Sequence, residues 1–352
     1  MKFQTITKDE FKRFATENSE SFLQTSAMSE LLEKRGWQTT FVAVKSDGNE
    51  IQIAALLHFQ KVFGGTRFDC NFGPIHTEFD LKSYEFFIKE LQKFVKSENA
   101  IEFNWYPNID FQTFDAKGEK TSEPKNDLVH LIESWNFNYL GRNTGFDEQE
   151  VVAEWQYIKD LSDLTDEDLL LKSYNSNAKR NVKKARKNEI TVAVATFDEL
   201  QEVADLIDNT GSKRHFATKD LAYYQDLFTA FGDKIEFLLT KYNDIPVASG
   251  VFIEVNHEFL YLYGGSNGAG EYGKLGGPFL MQHTAMLHAL ERGLKSYNFY
   301  GISGKFDGSD GVLRFKQNFG GYIVEKIGGF RYTPSKGKYN LIQFVKKVTG
   351  RK

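Results

Sequence analysis

Leu260-Tyr-Leu-Tyr-Gly-Gly-Ser266 and Tyr297-Asn-Phe-Tyr-Gly-Ile-Ser-Gly304 are the two stretches that decide the fold of this chain. Each reads as a strand that ends in glycine, where the backbone can approach a ligand closely. A helix is predicted between them, because Pro278 suits a first helical turn and Gly293 suits a helix end. Apolar side chains recur through this segment at helical spacing, at Phe279, Leu280, Met286, Leu287 and Leu290. The sequence therefore predicts a strand, a helix and a second strand around a ligand-facing edge.

Lys316 follows the second strand, within Leu313-Arg-Phe-Lys-Gln-Asn-Phe-Gly-Gly321. Aromatic residues flank this lysine on both sides. A cation held where strand ends meet a helix N-terminus favours the binding of negative charge. We expect the functional centre of the protein here.

Composition restricts the class of protein. The 352 residues exceed the size of about 250–300 at which single hydrophobic cores stop growing. A formal net charge of −4 excludes a global positive field, so any polyanion must meet a local patch. Cys70 is the one cysteine, which excludes an intrachain disulfide and a cysteine-based zinc site. With no signal-peptide pattern and no apolar run of about 18 residues, a cytoplasmic protein is expected, with peripheral membrane contact left open.

The order of predicted elements occurs twice along the chain. Residues 41–105 and 235–300 correspond piece by piece, as three strands joined by short turns, a helix and a strand. In both halves a strand and two helices precede these segments. The repetition predicts an internal duplication into two similar α+β domains, and the alternative is a chance alignment of short elements.

The repeat suggests domain boundaries. We expect the first domain over residues 1–150 and the second over residues 151–335, with a C-terminal helix over 336–352 that docks back on the first domain. Gly321–Tyr332 is predicted to form a β-hairpin. The chain has no sustained heptad pattern, so no coiled-coil arm is expected.

The most basic segment of the chain is Ser176-Asn-Ala-Lys-Arg-Asn-Val-Lys-Lys-Ala-Arg-Lys187. On a helix, Val182 and Ala185 occupy the inner face, and the cations form a ridge on the outer face. The candidate phosphate contacts on this ridge are Lys179, Arg180, Lys183 and Lys184. Such a ridge either grips a nucleic-acid backbone or is an ordinary solvated face.

Three patterns point to other chemistries and are weak. Gly264–Gly268 fits G-x-S-x-G, but glycines follow it instead of the helix that a hydrolase nucleophile needs. Gly268–Gly273 fits G-x-G-x-x-G without the surrounding strand and helix of a dinucleotide site. His283 and His288 are five residues apart and do not share a helix face as metal ligands would.

Several blocks together resemble the FemABX family of aminoacyltransferases, and the FemX type most of all. The blocks are Gln24-Thr25, Lys34-Arg-Gly-Trp37, Gly73-Pro74, Asn177–Ala185, Arg214–Lys219, Tyr223-Tyr224, Tyr261–Ser266, Tyr297–Gly304, Phe315–Gly321 and Gly328. The resemblance implies two tandem acetyltransferase-like (GNAT) domains, with mixed sheets flanked by helices and no coiled-coil arm. It also implies transfer of an amino acid from aminoacyl-tRNA to the stem peptide of a peptidoglycan precursor. The acceptor would be UDP-MurNAc-pentapeptide or lipid II, and a monomer without a cofactor or metal is expected.

The resemblance also assigns roles to particular residues. It implies that Lys316, with Phe315 beside it, lies at the reacting ester. The implied precursor-binding residues are Lys34 and Lys219 for its phosphates, together with Tyr223, Tyr263 and Arg214. The ridge at 179–184 would contact the tRNA. One departure concerns Tyr106, which stands where the FemX type has an aspartate near the acceptor amine, so the acceptor is expected to be handled differently.

Two other classes remain open from the sequence. A GNAT acetyltransferase would use acetyl-CoA and the pyrophosphate loop R/Q-x-x-G-x-G/A, which Gly270–Pro278 lacks. A non-catalytic protein would bind RNA or a membrane through the basic run and the C-terminal helix. An aminoacyl ester is already activated, so its aminolysis requires alignment and oxyanion stabilisation rather than a protein nucleophile.

Overall fold

The structure, a computed structural model, describes residues 1–145, 152–214 and 218–349. In chain order its strands are β1 (Lys2–Ile6), β2 (Gln38–Lys45), β3 (Ile51–Val62), β4 (Gly65–Asn71), β5 (Ile75–His76), β6 (Ala100–Tyr106), β7 (Asp110–Phe114), β8 (Asn138–Gly141), β9 (Trp155–Asp160), β10 (Thr191–Val194), β11 (Ile235–Tyr242), β12 (Ile245–Val255), β13 (Glu258–Ser266), β14 (Ser296–Gly301), β15 (Tyr322–Lys326) and β16 (Gly329–Tyr332). Its helices are α1 (Lys8–Asn18), α2 (Ser26–Lys34), α3 (Leu81–Ser97), α4 (Asn126–Ser134), α5 (Glu167–Lys172), α6 (Ser176–Lys187), α7 (Leu200–Arg214), α8 (Leu221–Phe231), α9 (Gly277–Glu291), α10 (Gly311–Lys316) and α11 (Lys336–Thr349).

The chain divides into two compact units. Unit 1 comprises Met1–Phe111, Pro124–Asn143 and Lys326–Lys352. Unit 2 comprises Gln112–Glu123 and Thr144–Glu325. The domain boundary expected near residue 150 stays a prediction.

Unit 1 is built on a mixed sheet with the strand order β1-β2-β3-β4-β6-β16-β8, and β5 pairs with β3. Strands β4 and β6 pair in parallel, and α3 connects them along the chain. Helix α3 packs on the sheet because its apolar side chains recur at helical spacing. Those that lie in the core are Tyr84, Phe87, Ile88, Leu91 and Val95.

Unit 2 contains a second mixed sheet with the strand order β10-β11-β12-β13-β14-β9-β15-β7. Strands β13 and β14 pair in parallel between Glu258–Leu260 and Ser296–Asn298. Helix α9 connects them, with proline in its first turn as the sequence predicts. Its side chains are buried on most sides, which a helix between a sheet and other helices requires.

The first five strands of each sheet repeat one pattern. Strands β1-β2-β3-β4-β6 and β10-β11-β12-β13-β14 have the same spatial order. In both sets the last pair is parallel and the others are antiparallel. The predicted repetition of one α+β arrangement is confirmed.

The predicted hairpin over Gly321–Tyr332 is wrong. Strand β15 pairs with β9 in the sheet of unit 2. Strand β16 pairs with β6 and β8 in the sheet of unit 1. Two short strands joined by a glycine turn have a hairpin pattern, but each one has a better-matched partner elsewhere in the chain. Gly328, at φ +87°, lies in the turn between them.

The helices of the described residues are short. The longest is α3, with 17 residues. In residues 1–145, 152–214 and 218–349, no helix has the length and apolarity needed to cross a bilayer.

Candidate functional site

Lys316 is buried at the end of the short helix α10, with 4% of its surface exposed. Asp310 caps this helix and accepts hydrogen bonds from the backbone N–H groups of Val312 (2.7 Å) and Leu313 (3.0 Å). The Lys316 ammonium donates to the carbonyl oxygens of Tyr300 (3.2 Å) and Gly301 (2.5 Å). The sequence places Lys316 just past the second strand, and the structure shows that it turns back to the end of that strand.

A β-bulge at the end of β14 presents these carbonyls. Asn298 pairs with Ile158 of β9, and Gly301 pairs with Gln156, so two residues of β14 oppose one of β9. Tyr300 lies in the bulge with φ +59°, a left-handed conformation that is uncommon for a residue other than glycine. Bulges occur often next to active sites, where they redirect individual groups.

Burial changes the acidity of Lys316. Loss of water around the ammonium lowers the Lys316 pKa from 10.5 to about 7, although the charge of Asp310 acts in the opposite direction. The amine is therefore divided between its charged and neutral forms near neutral pH. Perturbed lysines of this kind occur at catalytic sites more often than at purely structural ones.

Phe315 forms an apolar wall beside this lysine. Its ring meets Phe279 at 5.0 Å and Phe319 at 5.5 Å between centroids, both edge to face. The ring is half-buried, so one side remains accessible. An aromatic face next to a cation suits a flat, anionic ligand such as a nucleotide.

A second group of predicted residues lies together in unit 2. The hydroxyls of Tyr223 and Tyr263 are 3.1 Å apart, and the Lys219 ammonium lies 5.5 Å from the centre of the Tyr223 ring. Burial raises the pKa of the Tyr263 phenol well above its usual range, and the neighbouring phenols of Tyr223, Tyr224 and Tyr300 add to the effect. Tyr300 also gives its carbonyl to the catalytic candidate on α10. The tyrosine cluster and the buried lysine thus belong to one region of unit 2.

The basic run forms helix α6, as the sequence predicts. Val182 and Ala185 are buried on its inner face. Its exposed outer face carries Lys179, Arg180, Lys183 and Lys184. The inner face lies close to the start of α9, where a Cβ on Gly276 would lie 2.5 Å from the Asn181 carbonyl.

The remaining predicted residues lie elsewhere in the two units. Lys34 is exposed at the last position of α2, in unit 1. Tyr106 is half-buried at the end of β6, also in unit 1, and its carbonyl accepts a 2.6 Å hydrogen bond from the Phe72 N–H. Arg214 ends α7 in unit 2, and its side chain lies outside the described part of the chain.

Sequence reasoning missed Lys159, a second buried lysine on β9. Its ammonium donates to Ser173 Oγ (2.7 Å) and to the Phe319 carbonyl (2.8 Å). Burial lowers its pKa from 10.5 to about 8. The available signal was a lysine directly after the apolar-rich run Trp155–Ile158, where a buried strand is predicted.

Cys70 and the histidines take the roles that the sequence favours. Cys70 is fully buried on β4, and burial raises the pKa of its thiol to about 12. His283 is buried between Tyr174 and Glu167, at 3.1 Å and 3.2 Å. Across the part of the chain that the structure describes, no three His, Cys, Asp or Glu side chains are grouped as a metal site.

Known proteins share this sequence and fold. The FemAB family model matches residues 6–244 and 240–347. The aminoacyltransferase FemA of Staphylococcus aureus is 27% identical over 424 aligned residues, which cover 100% of both chains. The crystal structure of FemX matches with a TM-score of 0.82 at 21% identity, covering 97% of this chain and 100% of the other.

A more distant structure carries the same architecture. A tandem GNAT protein from the clavulanic acid biosynthesis pathway matches with a TM-score of 0.53 at 6% identity, covering 95% of this chain and 98% of its own. Together with FemX, it confirms the predicted tandem GNAT-like fold with mixed sheets flanked by helices. The family model spans nearly all of the chain, and the resemblance seen in the sequence blocks is confirmed. The chain belongs to the FemAB family.

Proposed function

We propose that this protein transfers an amino acid from aminoacyl-tRNA to the stem peptide of a peptidoglycan precursor, during the formation of interpeptide bridges. The full-length family match and the relatives named aminoacyltransferase support the reaction class. The donor and the acceptor follow from membership of this family. UDP-MurNAc-pentapeptide and its lipid-linked form, lipid II, are the two candidate acceptors.

The observation that carries the chemistry is the buried ammonium of Lys316 at the bulged end of β14. An ammonium has three N–H donors, and the carbonyls of Tyr300 and Gly301 accept two of them. The third is available for an oxygen of the substrate. Where water is excluded, a donor aimed at a developing oxyanion contributes about 3–4 kcal/mol to transition-state stabilisation.

The reaction needs no protein nucleophile. The acceptor nitrogen attacks the ester carbonyl carbon, and a C–N bond forms. The negative charge that develops on the carbonyl oxygen is stabilised by Lys316. The C–O bond to the terminal ribose of the tRNA then breaks, the nitrogen loses a proton and the ribose oxygen gains one. Alignment of the two substrates contributes up to about 7–11 kcal/mol of the barrier, and Phe315 contributes to it by packing against the terminal adenosine.

The acceptor site that we propose uses cations for phosphate and tyrosines for the remainder of the precursor. Lys219 lies one helical turn before Tyr223, whose hydroxyl meets that of Tyr263. A lysine contacts phosphate as a point charge, without the paired hydrogen bonds of an arginine. Lys34, Arg214 and Tyr106 complete the proposed set.

The exposed cations of α6 form the proposed tRNA contact. Lys179, Arg180, Lys183 and Lys184 lie on one exposed face, against a net charge of −4 for the whole chain. A local cationic face in an acidic protein supplies the phosphate contacts that the overall charge cannot. The two tandem domains, expected over residues 1–150 and 151–335, act within one chain, and the protein functions as a monomer.

Membrane contact through α11 is part of the proposal and would favour a lipid-linked acceptor. Leu341 and Phe344 lie three residues apart on this helix and are 63% and 64% exposed. Lys and Arg are the only charged residue types in residues 336–352. Exposed apolar side chains among cations fit the surface of an anionic bilayer, here the inner face of the cytoplasmic membrane. Sedimentation with vesicles that contain phosphatidylglycerol, and loss of that binding when Leu341 and Phe344 are changed to serine, would support this contact. Equal sedimentation of both proteins, or none with wild type, would refute it.

One assay tests the reaction. The protein is offered a panel of charged tRNAs with UDP-MurNAc-pentapeptide or lipid II, and the product is read by mass spectrometry. We expect one amino acid to be added, in a reaction that requires the charged tRNA and is lost in Lys316→Met. Transfer of an acetyl group from acetyl-CoA without tRNA would instead indicate an acetyltransferase, and binding to tRNA without any product would indicate a non-catalytic protein.

A further inference from the structure

Asn318 lies two residues after Lys316 and binds back to the segment that carries it. Its side-chain Nδ2 donates to the carbonyl oxygens of Arg314 (2.7 Å) and Phe315 (2.9 Å). These two carbonyls belong to the last turn of α10, where backbone acceptors have no partner within the helix. The amide therefore closes the end of α10 directly at the catalytic candidate.

The other end of the same amide binds α6. Asn318 Oδ1 accepts hydrogen bonds from the Nδ2 atoms of Asn175 (3.1 Å) and Asn177 (2.9 Å). The Asn318 main-chain carbonyl also accepts from the Asn175 N–H (2.9 Å). Asn175 is the residue that caps α6, so the start of that helix is bound to the residues after Lys316.

Asn177 extends the connection to the cationic face. Its Oδ1 accepts a hydrogen bond from the Arg180 guanidinium at 2.7 Å. A continuous series of hydrogen bonds thus runs from Arg180 through Asn177 and Asn318 to the Phe315 carbonyl. Asparagine is required at 318, because only a side chain with both a donor and an acceptor makes both sets of contacts.

The segment after α10 is also held on its opposite side. The buried ammonium of Lys159 binds the Phe319 carbonyl at 2.8 Å. A Cβ on Gly320, at φ +76°, would lie 3.0 Å from the Ser173 carbonyl. Residues 314–320 are therefore packed tightly, with Asn318 as the side chain that connects them to α6.

We propose that Asn318, through Asn177, is a positioning residue that holds Phe315 and Lys316 at a set distance from the cationic face of α6. Phosphates of the donor bind α6, and the connection ensures that the ester at the end of the same tRNA arrives at Lys316. This inference rests on the proposed function. The binding of tRNA and the stabilisation of the oxyanion occur at separate places in unit 2, and Asn318 makes them one rigid element.

The effect of losing this residue is on the rate and not on binding. We expect Asn318→Ala to slow single-turnover transfer by about 10- to 100-fold, since a misplacement of about 1 Å can cost about 100-fold. KM for aminoacyl-tRNA should stay within about threefold of wild type, because the cations of α6 remain. Asn318→Asp fills the same space but cannot donate to Arg314 and Phe315, so it should be slowed to a similar extent.

Two further readouts separate positioning from general destabilisation. Gln92→Ala is the matched control, because it removes a buried amide of α3 that donates to the Trp135 carbonyl at 2.6 Å. It should lower the melting temperature without slowing transfer. Asn177→Ala should slow transfer from full-length aminoacyl-tRNA but not from an aminoacylated dinucleotide, which lacks the phosphates that bind α6. Asn318→Ala should slow both donors.

Each outcome decides the matter. Wild-type rates in both Asn318 variants would overturn the inference while leaving the proposed function intact. A rate loss in Gln92→Ala as large as that in Asn318→Ala, or an equal loss with both donors in Asn177→Ala, would show general destabilisation and also overturn it. If wild-type protein transfers nothing from any charged tRNA, the proposed function fails, and the inference fails with it.

Discussion

Replacing Lys316 with methionine tests whether a titrating amine is held in the interior of unit 2. Methionine keeps the unbranched shape of the side chain and removes its charge. Burial lowers the Lys316 pKa from 10.5 to about 7. Since each pKa unit corresponds to about 1.4 kcal/mol, the ammonium form destabilises the folded protein by about 5 kcal/mol relative to an exposed lysine.

The sign of the pH dependence follows from the proton counts. Between pH 7 and pH 10.5 the unfolded chain holds the Lys316 proton and the folded chain has released it, so wild-type stability rises with pH across this window. Below pH 7 both states are protonated and the whole penalty remains. Methionine has no proton to release. The stability of the variant relative to wild type is therefore greatest below pH 7 and falls by about 1.4 kcal/mol per pH unit above it.

A second effect is independent of pH. The carbonyls of Tyr300 and Gly301 lose their donor in the variant. An unsatisfied buried acceptor costs about 1–3 kcal/mol, so this loss partly offsets the gain from removing the charge. Lys159 titrates in both proteins, and its contribution cancels in the difference. The change with pH is thus attributable to Lys316 alone.

Urea unfolding of both proteins, followed by circular dichroism, measures the difference. From about pH 6.5 to about pH 9, the free energy of unfolding of Lys316→Met minus that of wild type should fall by about 3 kcal/mol. Transfer by the variant should be about 100- to 1,000-fold slower, as expected for loss of one oxyanion donor. Lys93→Met, at a lysine whose side chain is 73% exposed, is the matched control and should show no such pH dependence.

A stability difference that does not change with pH would refute the reasoning, because it would show that Lys316 titrates as it does in water. Slow transfer together with unchanged or increased stability at about pH 6.5 would identify the lysine as a functional group retained at the expense of folding. Slow transfer that tracks a loss of stability would instead assign it a structural role.

Three further predictions concern binding and packing. Lys34→Ala should weaken precursor binding with little change in turnover, whereas Lys316→Ala should lower turnover far more than precursor affinity; equal losses in both, measured by calorimetry and single-turnover kinetics, would undo the assignment. Reversing charge at Lys183 and Lys184 should weaken tRNA binding and reduce its salt dependence by about 0.7–0.9 per lost phosphate contact, with precursor affinity unchanged in the same titrations. Gly265→Ala should lower the melting temperature, because its Cβ would lie 2.1 Å from a backbone carbonyl of α7 and the two elements must separate; an unchanged melting temperature would show that α7 is free to move.

Much of the fold could be predicted because its patterns are local. Helix α9 is bounded by Pro278 and Gly293, and these residues act through their own backbone geometry. The inner face of α6 follows from helical spacing alone, and Val182 and Ala185 are buried there. The repeated order of strands was predicted because each half contains the same series of local patterns.

Strand partners were harder to predict than strands. The turn between β15 and β16 has the appearance of a hairpin, yet the two strands pair in different sheets. A strand pattern specifies which side chains face a core, but not which distant segment lies beside it. That choice depends on contacts between residues far apart in the chain, which no local window contains.

The site shows the same division. The sequence by itself determined that a lysine follows the second strand, that tyrosines recur near the predicted precursor site and that one helix carries a cationic face. Only the tertiary structure decided that Lys316 is buried against the Tyr300 and Gly301 carbonyls, and that Asn318 connects it to α6. The pKa of a lysine depends on the water removed around it, and a hydrogen bond depends on two groups brought together by folding. Neither quantity belongs to a residue alone, so neither could be read before the chain was folded.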